Sequence, residues 1–325
     1  MLFSAEVLLA VLVALVADAL IGDPDALWRR LPHPVRWIGA LIDGLDHAFN
    51  RDSDTFSRRK ACGVLALALL LAVCGGAALG LQALLSQLPF SWLATGLVGS
   101  VLLAQRSLYD HVARVQEAFA AGGLAAARQA VSQVVGRDPE SLDEAGVTRA
   151  AIETTAENFS DGVVAPVFWF ALGGLPGLVL YKAINTADSM IGHRSLRHEA
   201  FGWAAARLDD LVNLVPARLA GLLIALAMPV VGRDPVQATR VMLRDAGLHR
   251  SPNAGWPEAA MAGGLGLALA GPRRYGARQL DDPYLNPAGR RDAGPEDIGR
   301  ALRVMAGACA LQAGMLTVLW LIVSA

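Results

Sequence analysis

Three apolar runs constrain the fold of this chain more than any other feature. A helix needs roughly 20 residues to cross about 30 Å of hydrocarbon, and residues 2–22, 61–85 and 302–324 meet that length. The chain is 54% hydrophobic and 18% charged, too apolar for an ordinary soluble domain of 325 residues. We therefore predict an all-α fold, a polytopic integral membrane helical bundle with polar connecting loops and short or broken helices. The alternative is a soluble helical protein with a very apolar core.

Shorter or interrupted apolar stretches are ambiguous candidates for further spans, and they cover residues 90–108, 163–184, 211–232 and 259–271. Neither an internal repeat nor a long linker is visible, so residues 1–325 are expected to form a single membrane domain. Residues 23–60 carry seven Lys and Arg residues, and residues 271–303 carry seven arginines. By the positive-inside rule both segments face the cytoplasm. We expect a multi-pass protein of the cell inner (cytoplasmic) membrane.

The ambiguous stretch 163–184 contains Gly-Gly-Leu-Pro-Gly at residues 173–177, which cannot continue a regular helix. A straight helix of this length would separate the polar motifs at its two ends by about 33 Å. Those motifs could not then share a substrate. We expect a re-entrant hairpin here, which is tolerated at membrane depth when it is buried in protein or lines a wet cavity. The alternative is a kinked but complete span.

The first polar cluster precedes this stretch, at residues 153–162. Glu153, Glu157 and Asp161 recur every four residues and so share a helix face. Stacked like charges repel one another, and a cation would relieve the repulsion. Carboxylate and amide oxygens suit Mg²⁺, especially with a phosphate completing the shell. The alternative is an exposed helix end with a solvated acidic face.

Two more polar clusters follow the broken stretch. The first, at residues 181–193, places Lys182, Asn185 and Ser189 on one helix face with Asp188 beside them. Lys182 is one of only two lysines in the chain. It could serve as a compact cation for a phosphate or extend to the lipid headgroups.

The third cluster, at residues 207–218, combines two acids, an amide and two arginines within a few turns: Arg207, Asp209, Asp210, Asn213 and Arg218. A structural network of ion pairs is the alternative, since Arg-Asp pairs at such spacing are common.

Two loops are rich in turn-forming residues, which fix the course of their backbone. One contains Asp23 and His33, and the other contains Ser251, Asn253 and Glu258. His33 lies between two prolines and could bind a ligand or only hydrogen-bond its turn. The net charge of −1 argues against a nucleic-acid partner. No P-loop and no dinucleotide-binding glycine motif occurs, so a nucleotide would need a helical site.

As a set, these motifs resemble the adenosylcobinamide-phosphate synthase family of cobalamin biosynthesis, known as CbiB or CobD. The matching segments run in one order across most of the chain: G-D-P at 22–24, P-H-P-V at 32–35, G-R-D at 136–138, E-T-T-A-E-N-F-S-D-G at 153–162, K-A-I-N-T-A-D-S-M-I-G at 182–192, R-L-D-D-L-V-N at 207–213, P-A-R-L at 216–219 and S-P-N-A-G-W-P-E-A at 251–259.

The resemblance implies a multi-spanning acid-amine ligase. It would join adenosylcobyric acid to aminopropanol or aminopropanol phosphate, with ATP as co-substrate and Mg²⁺, to give adenosylcobinamide or its phosphate. A carboxylate acylates an amine poorly until its oxygen becomes a leaving group, which phosphorylation by ATP achieves. The partners would be the corrinoid, the amino alcohol and the lipid bilayer. The protein partners would be a second copy of this chain or other membrane-bound enzymes of cobalamin assembly.

We assign residues to this chemistry in three groups. The catalytic candidates are Glu153, Asn158, Asp161, Lys182, Asn185 and Asp188. The substrate-binding candidates are Asp23, His33, Arg137, Arg207, Asn213, Arg218, Ser251, Asn253 and Glu258. The metal-binding candidates are Glu153, Asp161, Asp209 and Asp210.

Three other functions remain open at this point. An intramembrane Mg²⁺-dependent prenyl or phospho-alcohol transferase is supported by Asn185-x-x-Asp188 and Asp209-Asp210, although no clean pair of facing D-x-x-x-D motifs is present. A transporter is suggested by the broken stretch but lacks an internal repeat. An accessory protein that has lost its chemistry would not be expected to keep every acidic cluster. The sequence does not decide whether the amine substrate is aminopropanol or ethanolamine. Nor does it decide whether that amine is phosphorylated.

Overall fold

The computed structural model describes residues 4–24, 28–132, 142–275 and 278–325. Within these residues the chain is predominantly helical, as predicted. The α-helices are α1 (Ala5–Ile21), α2 (Pro34–Phe49), α3 (Phe56–Leu85), α4 (Ser91–Ser100), α5 (Gln105–Val131), α6 (Glu144–Phe159), α7 (Ala165–Ala187), α8 (Trp203–Val212), α9 (Leu214–Ala227), α10 (Pro235–Asp245), α11 (Gly255–Leu265) and α12 (Pro295–Ser324).

Shorter elements join these helices. Ser160–Val164 and Asp188–Gly192 are π-helical turns, and Met228–Val231 and Ala246–Leu248 are 3₁₀ turns. Two small antiparallel ribbons precede α12. β1 (Leu269–Ala270) pairs with β4 (Tyr284–Leu285), and β2 (Arg273–Tyr275) pairs with β3 (Arg278–Leu280).

Local sequence signals set several helix starts. The side chains of Thr55, Asp143 and Asp234 each accept a hydrogen bond from a backbone N–H in the first turn of the helix that follows. Such caps satisfy N–H groups that have no partner within the helix. Pro235 occupies the first position of α10, where its missing N–H costs nothing.

Within the described residues, four helices are long and apolar enough to cross a membrane: Phe56–Leu85, Glu144–Gly192, Leu214–Val231 and Pro295–Ser324. They overlap the predicted segments 61–85, 163–184, 211–232 and 302–324. α1, which lies within the predicted segment 2–22, has 17 residues. That length corresponds to about 25 Å of helix. The helices inside the predicted segments 90–108 and 259–271 are shorter still, with 10 residues in α4 and 11 in α11.

The chain divides into two compact units. Unit 1 contains residues 1–104, 165–213 and 316–325, and unit 2 contains residues 105–164 and 214–315. In unit 1, α1 packs on α4, and α3 packs on α2, α7 and α8. The contact between α1 and α4 is close, since a Cβ on Gly96 would lie 2.6 Å from the carbonyl oxygen of Ala10. The single domain expected from the sequence stays a prediction.

Unit 2 has one continuous apolar core. It is built from α5, α6, α9, α10, α11 and the part of α12 before Leu316, and it includes Val112, Phe159, Ile224, Met261 and Ile298. Leu108, Val112, Val115 and Phe119 recur at helical spacing, which predicts an amphipathic helix that Gly122 and Gly123 would break. On α5 the first three side chains are buried and Phe119 is half-buried, and the helix is interrupted at Gly122 and Gly123.

The chain reverses direction inside α7. Gly174 has φ 61° and ψ −157°, which interrupts the helix, and a Cβ on Gly177 would overlap the backbone carbonyl of Trp169. Residues eight apart on a straight helix are separated by about 12 Å along its axis, so this contact requires a turn. The Oε1 atom of Gln82 accepts a hydrogen bond of 3.4 Å from the Leu175 N–H at the start of the second arm. This geometry shows a tight turn within α7, while the re-entrant hairpin, as distinct from a kinked but complete span, stays a prediction.

Candidate active site

The π-helical turn at the end of α7 and the start of α8 form the frame of the candidate site in unit 1. A Cβ on Gly202, directly before α8, would overlap the backbone carbonyl of Ile191 in the π turn. The two segments therefore approach backbone to backbone, and only glycine at position 202 permits this contact. The other end of α8 is fixed by Trp169, whose indole N–H donates a hydrogen bond of 3.1 Å to the Val212 carbonyl.

Asp209 lies at the centre of a hydrogen-bond network on this frame. Its carboxylate accepts hydrogen bonds from the side-chain amides of Asn213 at 3.0 Å and Asn185 at 3.4 Å. The Asn213 amide also donates to the Asp209 backbone carbonyl at 3.1 Å and accepts from the Tyr181 hydroxyl at 3.0 Å. Asp209 is 9% exposed, and Tyr181 and Asn213 are each 1% exposed. The carboxylate is therefore held in one orientation by amides that carry no charge.

This environment raises the pKa of Asp209 to about 7. Burial is the largest cause, and the negative charge of Asp188 adds to it. The hydrogen bonds from Asn185 and Asn213 act in the opposite direction and offset only part of the rise. A carboxylate whose ionised form is disfavoured by burial and by a neighbouring acid would be stabilised by a bound cation.

Asp188 is positioned by a glycine. One carboxylate oxygen of Asp188 lies against the backbone of Gly192, where a Cβ would overlap it. The π-helical turn Asp188–Gly192 creates this contact, and π turns often occur at functional sites. Any side chain at position 192 would push the Asp188 carboxylate out of its place.

Three other predicted residues belong to the same unit. Lys182 is half-buried and lies on α7 one turn before Asn185. Arg207 is exposed and forms an ion pair with Asp210, with 3.1 Å between its Nη1 and the Asp210 Oδ2. This pair is the one that the structural alternative anticipated. The predicted roles of Arg207 in substrate binding and of Asp210 in metal binding stay predictions.

The first acidic cluster lies in unit 2, and its residues differ in their surroundings. Glu153 is buried and accepts a hydrogen bond of 2.8 Å from the backbone N–H of Ala270 in β1. Asp161 is half-buried in the π-helical turn after α6. Asn158 is exposed, and its amide donates to the Thr154 carbonyl at 3.1 Å. Glu153 thus supports the ribbon of β1 and β4, while the catalytic and metal roles of these residues stay predictions.

A second polar group in unit 2 surrounds Arg218. Its guanidinium lies over the Trp256 ring, 4.5 Å from the centroid, and donates to the Leu214 carbonyl at 2.7 Å and to Asn253 Oδ1 at 3.3 Å. The hydroxyl of Ser251 accepts from the backbone N–H groups of residues 253 and 254. Glu258 is buried, with Oε1 3.7 Å from His249 Nε2. The structure thus places Arg218, Ser251, Asn253 and Glu258 in one region.

The N-terminal loop residues have mainly structural contacts. Nδ1 of His33 accepts from the Val35 N–H at 3.2 Å and caps α2, and Nε2 lies 3.1 Å from the Val101 carbonyl and 3.6 Å from Asp23. Since Nδ1 is an acceptor, the proton is on Nε2. His33 therefore hydrogen-bonds its turn, and the substrate-binding roles of Asp23 and His33 stay predictions. Arg137 lies outside the described residues.

The donor groups of unit 1 fit Mg²⁺. No three side chains of His, Cys, Asp or Glu converge as a metal cage anywhere in the described ranges. Magnesium does not need such a cage, because it commonly binds through one or two carboxylates, with phosphate oxygens and water completing its shell. Asp209 and Asp188 supply two carboxylates of that kind. The four predicted metal ligands divide between the units, with Asp209 and Asp210 in unit 1 and Glu153 and Asp161 in unit 2.

Two residues of this site were missed by sequence reasoning. Tyr181 lies in the second polar cluster and four residues before Asn185, so the same spacing argument could have included it. Gly192 ends the same motif. Its importance depends on the π-helical turn, and the sequence contains no signal for that turn.

Comparison with known proteins shows the family of this chain. The model of the CobD/Cbib protein family matches residues 11–305. The chain belongs to the CobD/CbiB family. Relatives named cobalamin biosynthesis protein CobD include that of Sinorhizobium sp, 52% identical over 96% of this chain and 97% of its own length. Another is that of Rhizobium meliloti strain 1021, 53% identical over 95% of both chains.

The protein of the same name from Rhodobacter capsulatus is 51% identical over 95% of this chain and 96% of its own length. No solved structure matches the chain. Membership of the CobD/CbiB family supports a role in cobalamin biosynthesis and indicates a biosynthetic enzyme.

Proposed function

We propose that this chain is an acid-amine ligase of the cell inner membrane. It would condense adenosylcobyric acid with aminopropanol or aminopropanol phosphate, at the expense of ATP, to give adenosylcobinamide or its phosphate. The observation that carries the proposal is the network around Asp209, in which a buried carboxylate is oriented by Asn185 and Asn213 beside a second acid. Membership of the CobD/CbiB family supports a corrinoid as the substrate class.

The reaction needs two bond-forming steps. In the first, a carboxylate oxygen of the corrinoid attacks the γ-phosphorus of ATP, ADP leaves, and an acyl phosphate forms. In the second, the amino nitrogen attacks the acyl carbon, the phosphate leaves with the C–O bond electrons, and the proton of the attacking nitrogen passes to a base. A bound Mg²⁺ would neutralise phosphate charge in the first step.

The residues of unit 1 would divide this work. Asp209 and Asp188 would hold Mg²⁺, and Asn185 and Asn213 would fix the Asp209 carboxylate. Lys182 would approach a phosphate as a compact cation. The planar guanidinium of an arginine could not take the place of its ammonium group. In unit 2, Arg218 is already oriented by Trp256 and Asn253. Its guanidinium would bind an anionic group of a substrate.

The test is product formation by the purified protein in detergent. We expect a corrinoid with the mass of adenosylcobinamide or its phosphate when adenosylcobyric acid, Mg-ATP and either amine are present, and none when ATP or Mg²⁺ is omitted. Comparing the two amines decides which one is the substrate. A protein that forms no amide product with either amine would contradict the proposal. Transfer of a phospho-alcohol or prenyl group to lipid instead would favour the transferase alternative.

A further inference from the structure

We propose that Tyr181 is a positioning residue that acts on Asp209 through Asn213. The inference rests on the proposed function for the role of Asp209 as a metal ligand. It rests on the geometry of unit 1 for the connection itself. The three side chains form one chain of hydrogen bonds, from the Tyr181 hydroxyl to Asn213 Oδ1 and from Asn213 Nδ2 to Asp209 Oδ2, each 3.0 Å long.

The direction of this chain follows from the groups present. One end of the Asn213 amide faces two acceptors, the backbone carbonyl and the carboxylate of Asp209. Only the NH₂ end can face two acceptors, so Oδ1 must face Tyr181, and the Tyr181 hydroxyl must be the donor. The tyrosine thereby fixes which end of the amide the Asp209 carboxylate meets.

Burial makes this arrangement specific. Tyr181 and Asn213 are each 1% exposed, so water does not readily replace the tyrosine hydroxyl. Without that hydroxyl, Oδ1 of Asn213 would be buried without its donor, which is costly. The Asn213 side chain would move toward another donor, and that movement would weaken the hydrogen bond from Nδ2 that orients the Asp209 carboxylate. Residues that orient a metal ligand typically change metal affinity by about 10- to 100-fold when they are altered.

The experiment compares Tyr181→Phe with wild type and with Tyr109→Phe, in which a tyrosine 38% exposed on α5 loses the same atom. Two quantities are measured: the Mg²⁺ concentration at half-maximal ligation and the Mg²⁺ concentration at half-maximal thermal stabilisation. The second needs no turnover, because a bound ion stabilises the folded state by mass action. Ligation by wild type tests the proposed function separately.

We expect Tyr181→Phe to raise both half-saturating Mg²⁺ concentrations by about tenfold, and Tyr109→Phe to leave them unchanged. Asn213→Ala should raise them as well, and adding Tyr181→Phe to it should produce no further rise, since the connection is already broken. Unchanged Mg²⁺ dependence in folded Tyr181→Phe would overturn the inference. So would additive effects in the double variant. If Tyr181→Phe does not fold, Asn213→Ala alone decides, and normal Mg²⁺ dependence there would overturn it.

Discussion

Asp209 in unit 1 and Asp245 in unit 2 are both buried aspartates, and they have opposite surroundings. Asp245 is 3% exposed and is paired with Arg244, with 2.6 Å and 2.7 Å between the guanidinium nitrogens and the carboxylate oxygens. It also accepts from the backbone N–H of Asn286 at 2.7 Å. Asp209 is hydrogen-bonded by amides and lies close to another acid. Burial is therefore common to both aspartates, and what separates them is that Asp245 is paired with a guanidinium whereas Asp209 is hydrogen-bonded by neutral amides.

The largest expected effect is a loss of ligation activity when Asp209, but not Asp245, is replaced. Asp209→Asn should abolish ligation while the protein stays folded, because the substitution removes the charge that a metal needs and keeps the size of the side chain. Asp245→Asn should keep its activity per folded molecule and lose about 1–3 kcal/mol of stability, since it weakens a buried, charged hydrogen-bond network. Corrinoid product by mass and unfolding in detergent measure the two effects. Asp43→Asn, on the exposed face of α2, is the matched control. Retained turnover in Asp209→Asn would remove the distinction.

A smaller effect is expected from Gly192→Ala. The new Cβ would overlap the Asp188 carboxylate, and displacing a catalytic group by about 1 Å can cost on the order of 100-fold in rate. Gly44→Ala is the control in the same unit, because a Cβ at that position on α2 meets nothing within 4 Å. Its stability should stay equal or rise, as alanine favours a helix more than glycine does. Equal ligation rates in the two variants would show that the place of Asp188 is unimportant.

The two aspartates should also give opposite pH dependence of stability. The Arg244 guanidinium lowers the pKa of Asp245 below 3.8, so Asp245 contributes stability above its ordinary pKa that is lost as the pH falls. Burial raises the pKa of Asp209 from 3.8 to about 7, so its ionisation destabilises the fold as the pH rises through that interval. In chelator, Asp209→Asn should therefore be more stable than wild type at pH 8, with the difference shrinking toward pH 4. Melting temperatures from pH 4 to 8 test this, and Asp245→Asn should show no gain at pH 8.

The smallest effect is expected from Arg244→Gln. The Arg244 side chain is 52% exposed, and half-exposed ion pairs contribute only about 0–1 kcal/mol. Its loss should shift the melting temperature slightly and leave ligation and its Mg²⁺ dependence unchanged. A large loss of activity would mean that the Asp245 region takes part in the chemistry.

The sequence predicted the parts of the fold that depend on composition and spacing. Apolar length indicated long helices, and Gly173 to Gly177 indicated the break in α7, because glycine and proline act locally. Helical spacing identified the buried face of α5. The small ribbons of β1–β4 were not predicted, since strands of two or three residues leave no periodicity to detect.

The candidate site was predicted less completely, for a physical reason. Spacing along one helix placed Asn185 near Asp188 and Asp209 near Asn213, but it could not show that the turn after α7 brings Asp188 close to Asp209. The approach of the two segments depends on Gly202 and on a π-helical turn, both of which act through packing. The same limit applies to Glu153, whose partner at Ala270 is 117 residues away.

The most direct test of the Asp209 site is Mn²⁺ binding followed by electron paramagnetic resonance, because Mn²⁺ prefers the same oxygen ligands as Mg²⁺. Wild type, Asp209→Asn and Asp245→Asn would each be titrated with Mn²⁺ in detergent, with and without ATP. We expect saturable Mn²⁺ binding in wild type and in Asp245→Asn, and loss of binding in Asp209→Asn. Equal binding in all three proteins would contradict a metal site at Asp209.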